Sequence, residues 1–193
     1  MGDEGFLTLT VGMTVRPEPC AADLVRRYKM ALQYAVNWIL DRSTVVQAGK
    51  RVRYFMPKLS EVHKGLYETL KTAYGLPSRV AIDCYRNALA IAKSWLANPN
   101  RGKRPTVKNV SLWLTPNLSY RIRGDYVELI GGCRLEVLGA DRRYEGHEYK
   151  EARLVQRDGK MMLLISVRVP KPKPIEPRGV VAVDVNERYV YYG

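Results

Sequence analysis

This sequence of 193 residues predicts an α+β fold in which an antiparallel β-barrel is interrupted by a helical bundle. Three observations carry the prediction. Apolar residues alternate with a period of two near the amino terminus, recur at three and four through residues 22 to 97, and return to a period of two after Gly102.

Leu7, Leu9 and Val11 alternate with Thr8 and Thr10, which predicts a half-buried strand over 6–15 that Pro17 and Pro19 end. Leu24, Val25, Tyr28, Leu32, Ala35, Val36 and Ile39 then place one apolar stripe on a helix over about 22–41. Residues 43–58 hold Gly49, Arg51, Arg53 and Pro57 without sustained periodicity and read as a basic loop. Ser60 reads as the N-cap of a second helix carrying Val62, Leu66, Leu70 and Ala73, which Gly75 closes. Leu76-Pro77-Ser78 opens a third, with Ile82, Tyr85, Leu89, Ala92 and Leu96 on one face and a stop at Asn98-Pro99-Asn100. Three adjacent amphipathic helices bury their stripes most simply against one another.

Short alternating runs follow at Val110 to Leu114, Leu118 to Ile122, Val127 to Leu129 and Leu135 to Val137. The clearest hairpin joins 153–157 to 160–169 through Asp158-Gly159, since Asp-Gly supplies the positive φ of a tight primed turn. Because strand 6–15 precedes the helices and the others follow them, the helices interrupt a barrel rather than precede one. Pro170, Pro172, Pro174 and Pro177 then make a stiff connector. Beyond it, Val180, Val181 and Val183 form an apolar run of the kind covered on both faces, so the sequence is expected to be entering another domain.

The composition narrows the class. With 46% hydrophobic residues the chain has material for a core, and 32 Lys plus Arg against 19 Asp plus Glu give a net charge of +13 that points to a polyanionic partner, nucleic acid first. No apolar stretch approaches the ~20 residues of a membrane span, and the start Met1-Gly-Asp-Glu-Gly lacks a secretory pattern. A cytoplasmic protein with no membrane partner is expected. Cys20, Cys84 and Cys133 are odd in number and widely spaced, so free, mostly buried thiols and no zinc are expected.

Asp184 is the residue with the most chemistry to offer. A carboxylate ending a β-branched strand, followed by a turn at Asn186-Glu187 and a strand from Tyr189, can ligate magnesium, which takes one or two carboxylates and keeps waters. Its plainer reading is an Asp that starts a hairpin turn. For phosphate contacts the strongest candidates are Arg101, Lys103, Arg104, Lys108, Arg121 and Arg123, a stretch without an acid that also carries Trp113 and Tyr120 as stacking surfaces. The alternative there is a solvated face with its aromatics turned inward. Arg51, Arg53 and Tyr54 form a second cluster, and Lys171 with Lys173 a third. His63 and His147 read as ordinary polar residues, and Tyr28 and Tyr85 as core.

Four segments, in this order and spacing, resemble the TnpB/OrfB family of transposon-encoded RNA-guided endonucleases, related to type V CRISPR effectors. They are Ala35-Val36-Asn37-Trp38, Leu76-Pro77-Ser78-Arg79-Val80-Ala81, Ser166-Val167-Arg168-Val169-Pro170, and Val181 to Glu187. The resemblance implies a split barrel, the wedge domain, over 1–20 and 101–170, and a helical recognition domain over 21–100. A linker over 171–178 and the start of a RuvC-like nuclease domain of RNase H-like fold over 179–193 complete the division. It implies a guide RNA and target DNA as partners, with Ser78, Arg79 and Arg86 toward the DNA. Asp184 becomes the first of three acids around catalytic magnesium. Arg79 stands where many relatives have Gln, and Asn186 where many have Gly. Cleavage with two ions needs several carboxylates, so magnesium is expected only in a completed nuclease domain, and this chain alone is expected to bind without cutting. The alternative is a non-catalytic stand-alone RNA- or DNA-binding module or a regulatory remnant of such a transposon protein, and an exposed strand over 179–193 would let two copies pair as a homodimer.

Overall fold

In chain order the described residues form β1 (Phe6–Val15), α1 (Pro19–Asp41), β2 (Thr44–Ala48), β3 (Arg51–Phe55), α2 (Leu59–Thr72), α3 (Ser78–Ala97), β4 (Ser111–Leu114), β5 (Tyr120–Arg123), β6 (Tyr126–Leu129), β7 (Arg134–Gly139), β8 (Glu148–Arg157), β9 (Lys160–Pro170), β10 (Val183–Val185) and β11 (Val190–Tyr192). The computed structural model describes residues 5–140, 142–157, 159–172, 183–185 and 190–192.

The strands β4-β8-β9-β1-β7-β6-β5 make one antiparallel sheet in that order. Its two edge strands, β4 and β5, are consecutive in the chain and joined by residues 115–119. That link dictates the shape. From Leu114 to Tyr120 an extended chain reaches at most ~20 Å, whereas the edges of a flat seven-stranded sheet would stand ~29 Å apart. The sheet therefore curls into a nearly closed barrel. Tyr120 of β5 donates its hydroxyl to the carbonyl of Lys150 in β8 at 2.5 Å, and Tyr120 bridges to Pro116 just past β4, which holds the curl.

β1 runs the length of β9, from Phe6 opposite Pro170 to Val15 opposite Met161, but meets β7 only at Thr14 and Val15. Its burial follows that pairing. Met13 and Val15 are buried, while Leu7 and Leu9, expected to be half-buried, are 37% and 36% exposed because β7 does not reach that end. Leu112, Leu114, Val127, Leu129, Leu135, Leu154, Met161, Leu163 and Ile165 fill the barrel side of a single core. The hairpin through Gly159 (φ 73°) takes the expected place.

The helices and the β2–β3 hairpin lie in the chain between β1 and β4. α3 packs against both α1 and α2, and α1 and α3 also touch β4. Tyr28 is fully buried, and its hydroxyl accepts from the Asn87 amide at 3.2 Å, which ties α1 to α3. Burial raises its pKa. Tyr85 is buried as well, its hydroxyl 3.1 Å from His63 Nδ1.

Three expectations change. Residues 43–58 are no loop: β2 and β3 pair from Thr44–Phe55 to Ala48–Arg51 around Gly49 (φ 59°), because Thr44, Val45 and Val46 supply β-branched residues. The N-cap of α2 is Lys58, whose backbone N–H donates to the Glu61 carboxylate at 2.7 Å, so Ser60 falls inside the first turn. Cys20 and Cys133 are joined in a disulfide, not free, because the β1–β7 pairing carries the start of α1 to the β6–β7 turn. Cys84 stays a free, buried thiol, and burial pushes its pKa up.

In α2, Gly65 lies against Trp38 of α1, and a Cβ there would stand only 2.2 Å from an indole carbon. Gly65→Ala is therefore expected to destabilise. Helix propensity returns ~1 kcal/mol, but over-packing against a rigid ring costs ~1–3 kcal/mol, and a Cβ this deep in the ring belongs to the upper end of that range, which leaves a net loss of up to about 2 kcal/mol. Urea denaturation reads this. Adding Trp38→Leu should recover most of the loss, and a double variant no better than Gly65→Ala would show that the indole is not the obstacle.

Candidate nucleic-acid interface

Apart from Lys171 and Lys173, the basic residues singled out in the sequence sort into three places. The first is the β2–β3 hairpin. Its strands alternate in burial, so Thr44, Val46, Ala48, Arg51, Arg53 and Phe55 share one exposed face, while Val45, Val52 and Tyr54 are half-buried on the other. Tyr54, expected to be available for stacking, packs against the core instead. The exposed aromatic is its neighbour Phe55, at 68%. The signal was available in the sequence: residues of equal parity with Arg51 and Arg53 share their face once the segment is read as strand.

Gln47 fixes this hairpin by donating its amide to the Pro99 carbonyl at 3.0 Å. Pro99 belongs to the turn after α3, the turn that carries Arg101. Arg101 donates to the Asn98 carbonyl and lies 6.0 Å from the centre of the Trp95 ring, and the Trp95 indole N–H donates to the Lys103 carbonyl at 3.1 Å. Arg104 pairs with Asp41 at 2.5 Å, three residues before β2 begins. These bonds tie the segment that carries Arg101, Lys103 and Arg104 to the end of α1 and to the inner face of the hairpin, the face opposite Arg51 and Arg53. Lys108 is exposed farther along this segment, which runs against α1 through Gln33, an acceptor for the Val107 N–H at 2.8 Å.

The second place is β5, where Arg121 and Arg123 are exposed and line a cavity of ≈ 1160 Å³ with Ile122, Tyr144 and Tyr149. Asp125, Glu145 and Glu148 line it too, so the charge there is mixed. Tyr120, offered in the sequence as a stacking surface, is buried with its hydroxyl satisfied, and Trp113 is half-buried beneath Arg153, 5.3 Å from its ring centre. Neither presents an open face.

The third is the start of α3. Ser78 and Arg86 are exposed, but Arg79 turns inward. Its Nε donates to Asp83 at 3.1 Å and a terminal nitrogen donates to the Thr115 hydroxyl at 3.0 Å, which in turn donates to Asp83 at 3.2 Å. Asp83 is 6% exposed. Burial raises its pKa, opposed by the charge and hydrogen bond of Arg79, by Thr115 and by Arg86. The triangle joins α3 to the segment linking β4 and β5. In this structure Arg79 fastens the helix to the sheet through Asp83 and Thr115.

Lys171 is exposed, its backbone N–H bonded to the Gly5 carbonyl, while Lys173 and the rest of the proline-rich connector lie outside the described residues. Asp184 sits in β10 opposite Tyr191 of β11. Val180 to Ala182 and the Asn186-Glu187 turn lie outside the described residues. Among the described residues no three His, Cys, Asp or Glu side chains gather as a metal site, so the described donors do not fit a two-ion centre. Among the described residues, too, no helix is long and apolar enough to cross a membrane.

Several residues that carry the family resemblance are packing residues. Ala35, Val36, Leu76, Val80, Ala81 and Val167 are buried in the core, and Trp38 lies against Gly65. A family model matches residues 24–129, from the first turns of α1 to the last residue of β6, a span holding every candidate basic residue except Lys171 and Lys173 and lacking Asp184. As that span exceeds half of the sequence, the chain belongs to the family described as Uncharacterized protein MJ0013.

Proposed function

We propose that this protein binds nucleic acid through its phosphate backbone, as the guide-RNA- and DNA-binding front portion of an RNA-guided transposon endonuclease of the TnpB/OrfB kind. In this reading the curled sheet is the wedge domain and the helices between β1 and β4 are the recognition domain. β10 and β11 begin a RuvC-like domain to which Asp184 contributes its first acid. Its partners are RNA and DNA.

One observation supports the reading above others. Among the described residues, Arg51, Arg53, Arg86, Lys108, Arg121 and Arg123 have no carboxylate within ion-pair distance, while Asp23, Asp41, Glu68, Asp83, Glu136 and Glu148 are each matched to a cation. The structural ion pairs use up acids, and exposed positive charge is left over. Such charge concentrates phosphate-bearing ligands.

Base pairing between guide and target reads sequence in this scheme, and the protein supplies backbone contacts. Affinity for RNA or DNA should therefore fall steeply with salt. With about six phosphates neutralised, log K against log salt is expected to slope at roughly −4 to −5. Fluorescence anisotropy of a labelled oligonucleotide across salt concentrations measures it, and a flat response, or no binding at low salt, overturns the reading.

A further inference from the structure

We propose that the outer face of the β2–β3 hairpin is a stacking platform for unpaired bases of a single-stranded nucleic acid, with Phe55 and Val46 under the bases and Arg53 and Arg51 on the phosphates. This rests on the nucleic-acid reading above and gives it a place and a strandedness.

The pairing register sets the face. Phe55 stands opposite Thr44, Arg53 opposite Val46 and Arg51 opposite Ala48, all pointing away from the core. Successive residues on this face rise by ~6.6 Å along a strand, close to one nucleotide step of a stretched chain. An apolar end therefore grades into a cationic tip at nucleotide spacing. Phe55 at 68% exposure and Val46 at 58% are diagonal neighbours, and together they leave a flat apolar patch in solvent where the fold has no use for one.

The opposite face keeps the platform in position. Val45 and Tyr54 pack against the core, and the Gln47 amide is bonded to Pro99. Binding need not order the hairpin first, which spares the affinity that ordering would cost.

Charge selects the occupant. Residues 43–58 contain Lys50, Arg51, Arg53 and Lys58 and no acid, so a second copy of the hairpin would bring like charges together. A polyanion is favoured. Two apolar side chains are too few to anchor the face in a bilayer, whereas one exposed aromatic flanked by arginines suffices to stack a base and hold its phosphate. In a duplex the base faces are already stacked on each other, so Phe55 can reach only unpaired bases.

The full chain is titrated by anisotropy with a labelled oligouridine and with a labelled duplex of equal length. Phe55→Ala is expected to weaken single-strand binding by about tenfold and to change duplex binding by less than twofold. Phe55→Trp should retain the single-strand affinity. Because Phe55 is exposed, its truncation should leave the melting curve in place. Arg51→Gln with Arg53→Gln should weaken both ligands. An unchanged single-strand affinity in Phe55→Ala, or an equal loss on both ligands, overturns the platform while leaving nucleic-acid binding intact. A wild-type chain that binds neither oligonucleotide sinks both readings. A dimer that Phe55→Ala dissociates, or anionic-vesicle binding that it abolishes, gives the face to another occupant and overturns the proposal.

Discussion

Reducing the Cys20–Cys133 disulfide is expected to lower the unfolding free energy by about 4 kcal/mol, near the top of the usual range for a native cross-link. The bridge joins residues 113 apart in sequence, and a closed loop of that size removes much of the unfolded chain's freedom. The folded state should hardly notice the loss. Arg16 reaches Glu136 through its side chain at 2.6 Å and its backbone N–H at 2.8 Å, and Val15 pairs with Val137, so the same joint is fastened without sulfur. Cys20 is exposed, which gives a reductant access. Urea denaturation with and without dithiothreitol measures the difference, and Cys20→Ser should match the reduced protein. Under denaturing but non-reducing conditions a single thiol, that of Cys84, should titrate, rising to three after reduction. Coincident denaturation curves, or three thiols from the start, would contradict the cross-link.

Truncating Asp83 should rank next. Asp83→Ala removes a carboxylate 6% exposed and leaves the Arg79 guanidinium, 28% exposed, with the Thr115 hydroxyl as its one remaining side-chain partner among the described residues. Breaking a buried pair costs ~3–5 kcal/mol. The partial exposure of Arg79 lets water recover some of this, so about 3 kcal/mol is expected. Asp83→Asn keeps an acceptor and should lose about 1 kcal/mol at neutral pH. The pH dependence separates the two physical effects. Burial raises the folded pKa of Asp83 above 3.8, so between that value and the folded pKa the native state binds more protons than the unfolded. The contribution of this group is complete below 3.8 and is lost as pH rises through the folded pKa. The margin of wild type over Asp83→Asn should therefore shrink as pH rises above 3.8. A widening margin would mean that Arg79 outweighs desolvation.

Both effects concern joints between the helices and the sheet, where local pattern says least. Periodicity placed the ends of β1, α1, α3 and β9 within a few residues, since an amphipathic stripe of ten or more residues leaves few alternatives. It missed β2 and β3, whose five-residue strands around Gly49-Lys50 mix Arg with Val too evenly to show one apolar face. That miss hid which aromatic is exposed, Phe55 and not its neighbour Tyr54, because on a strand adjacent side chains take opposite faces. The contacts of Arg79 were hidden for another reason. Its partners are one helical turn away in Asp83 and 36 residues away in Thr115, and only the second contact, made in space, turns it inward.

By itself the sequence determined the kinds of the longer elements, the net positive charge of +13 and the acid-free basic segments, because these depend on composition and on spacing within one element. The tertiary structure alone decided that the sheet curls, that Cys20 meets Cys133, that Arg79 bonds to Asp83 and Thr115, and that the β2–β3 hairpin is tied to the turn after α3. Each of those outcomes depends on a strand register or a turn length that brings residues 30 to 110 positions apart into contact, and no local period records such a meeting.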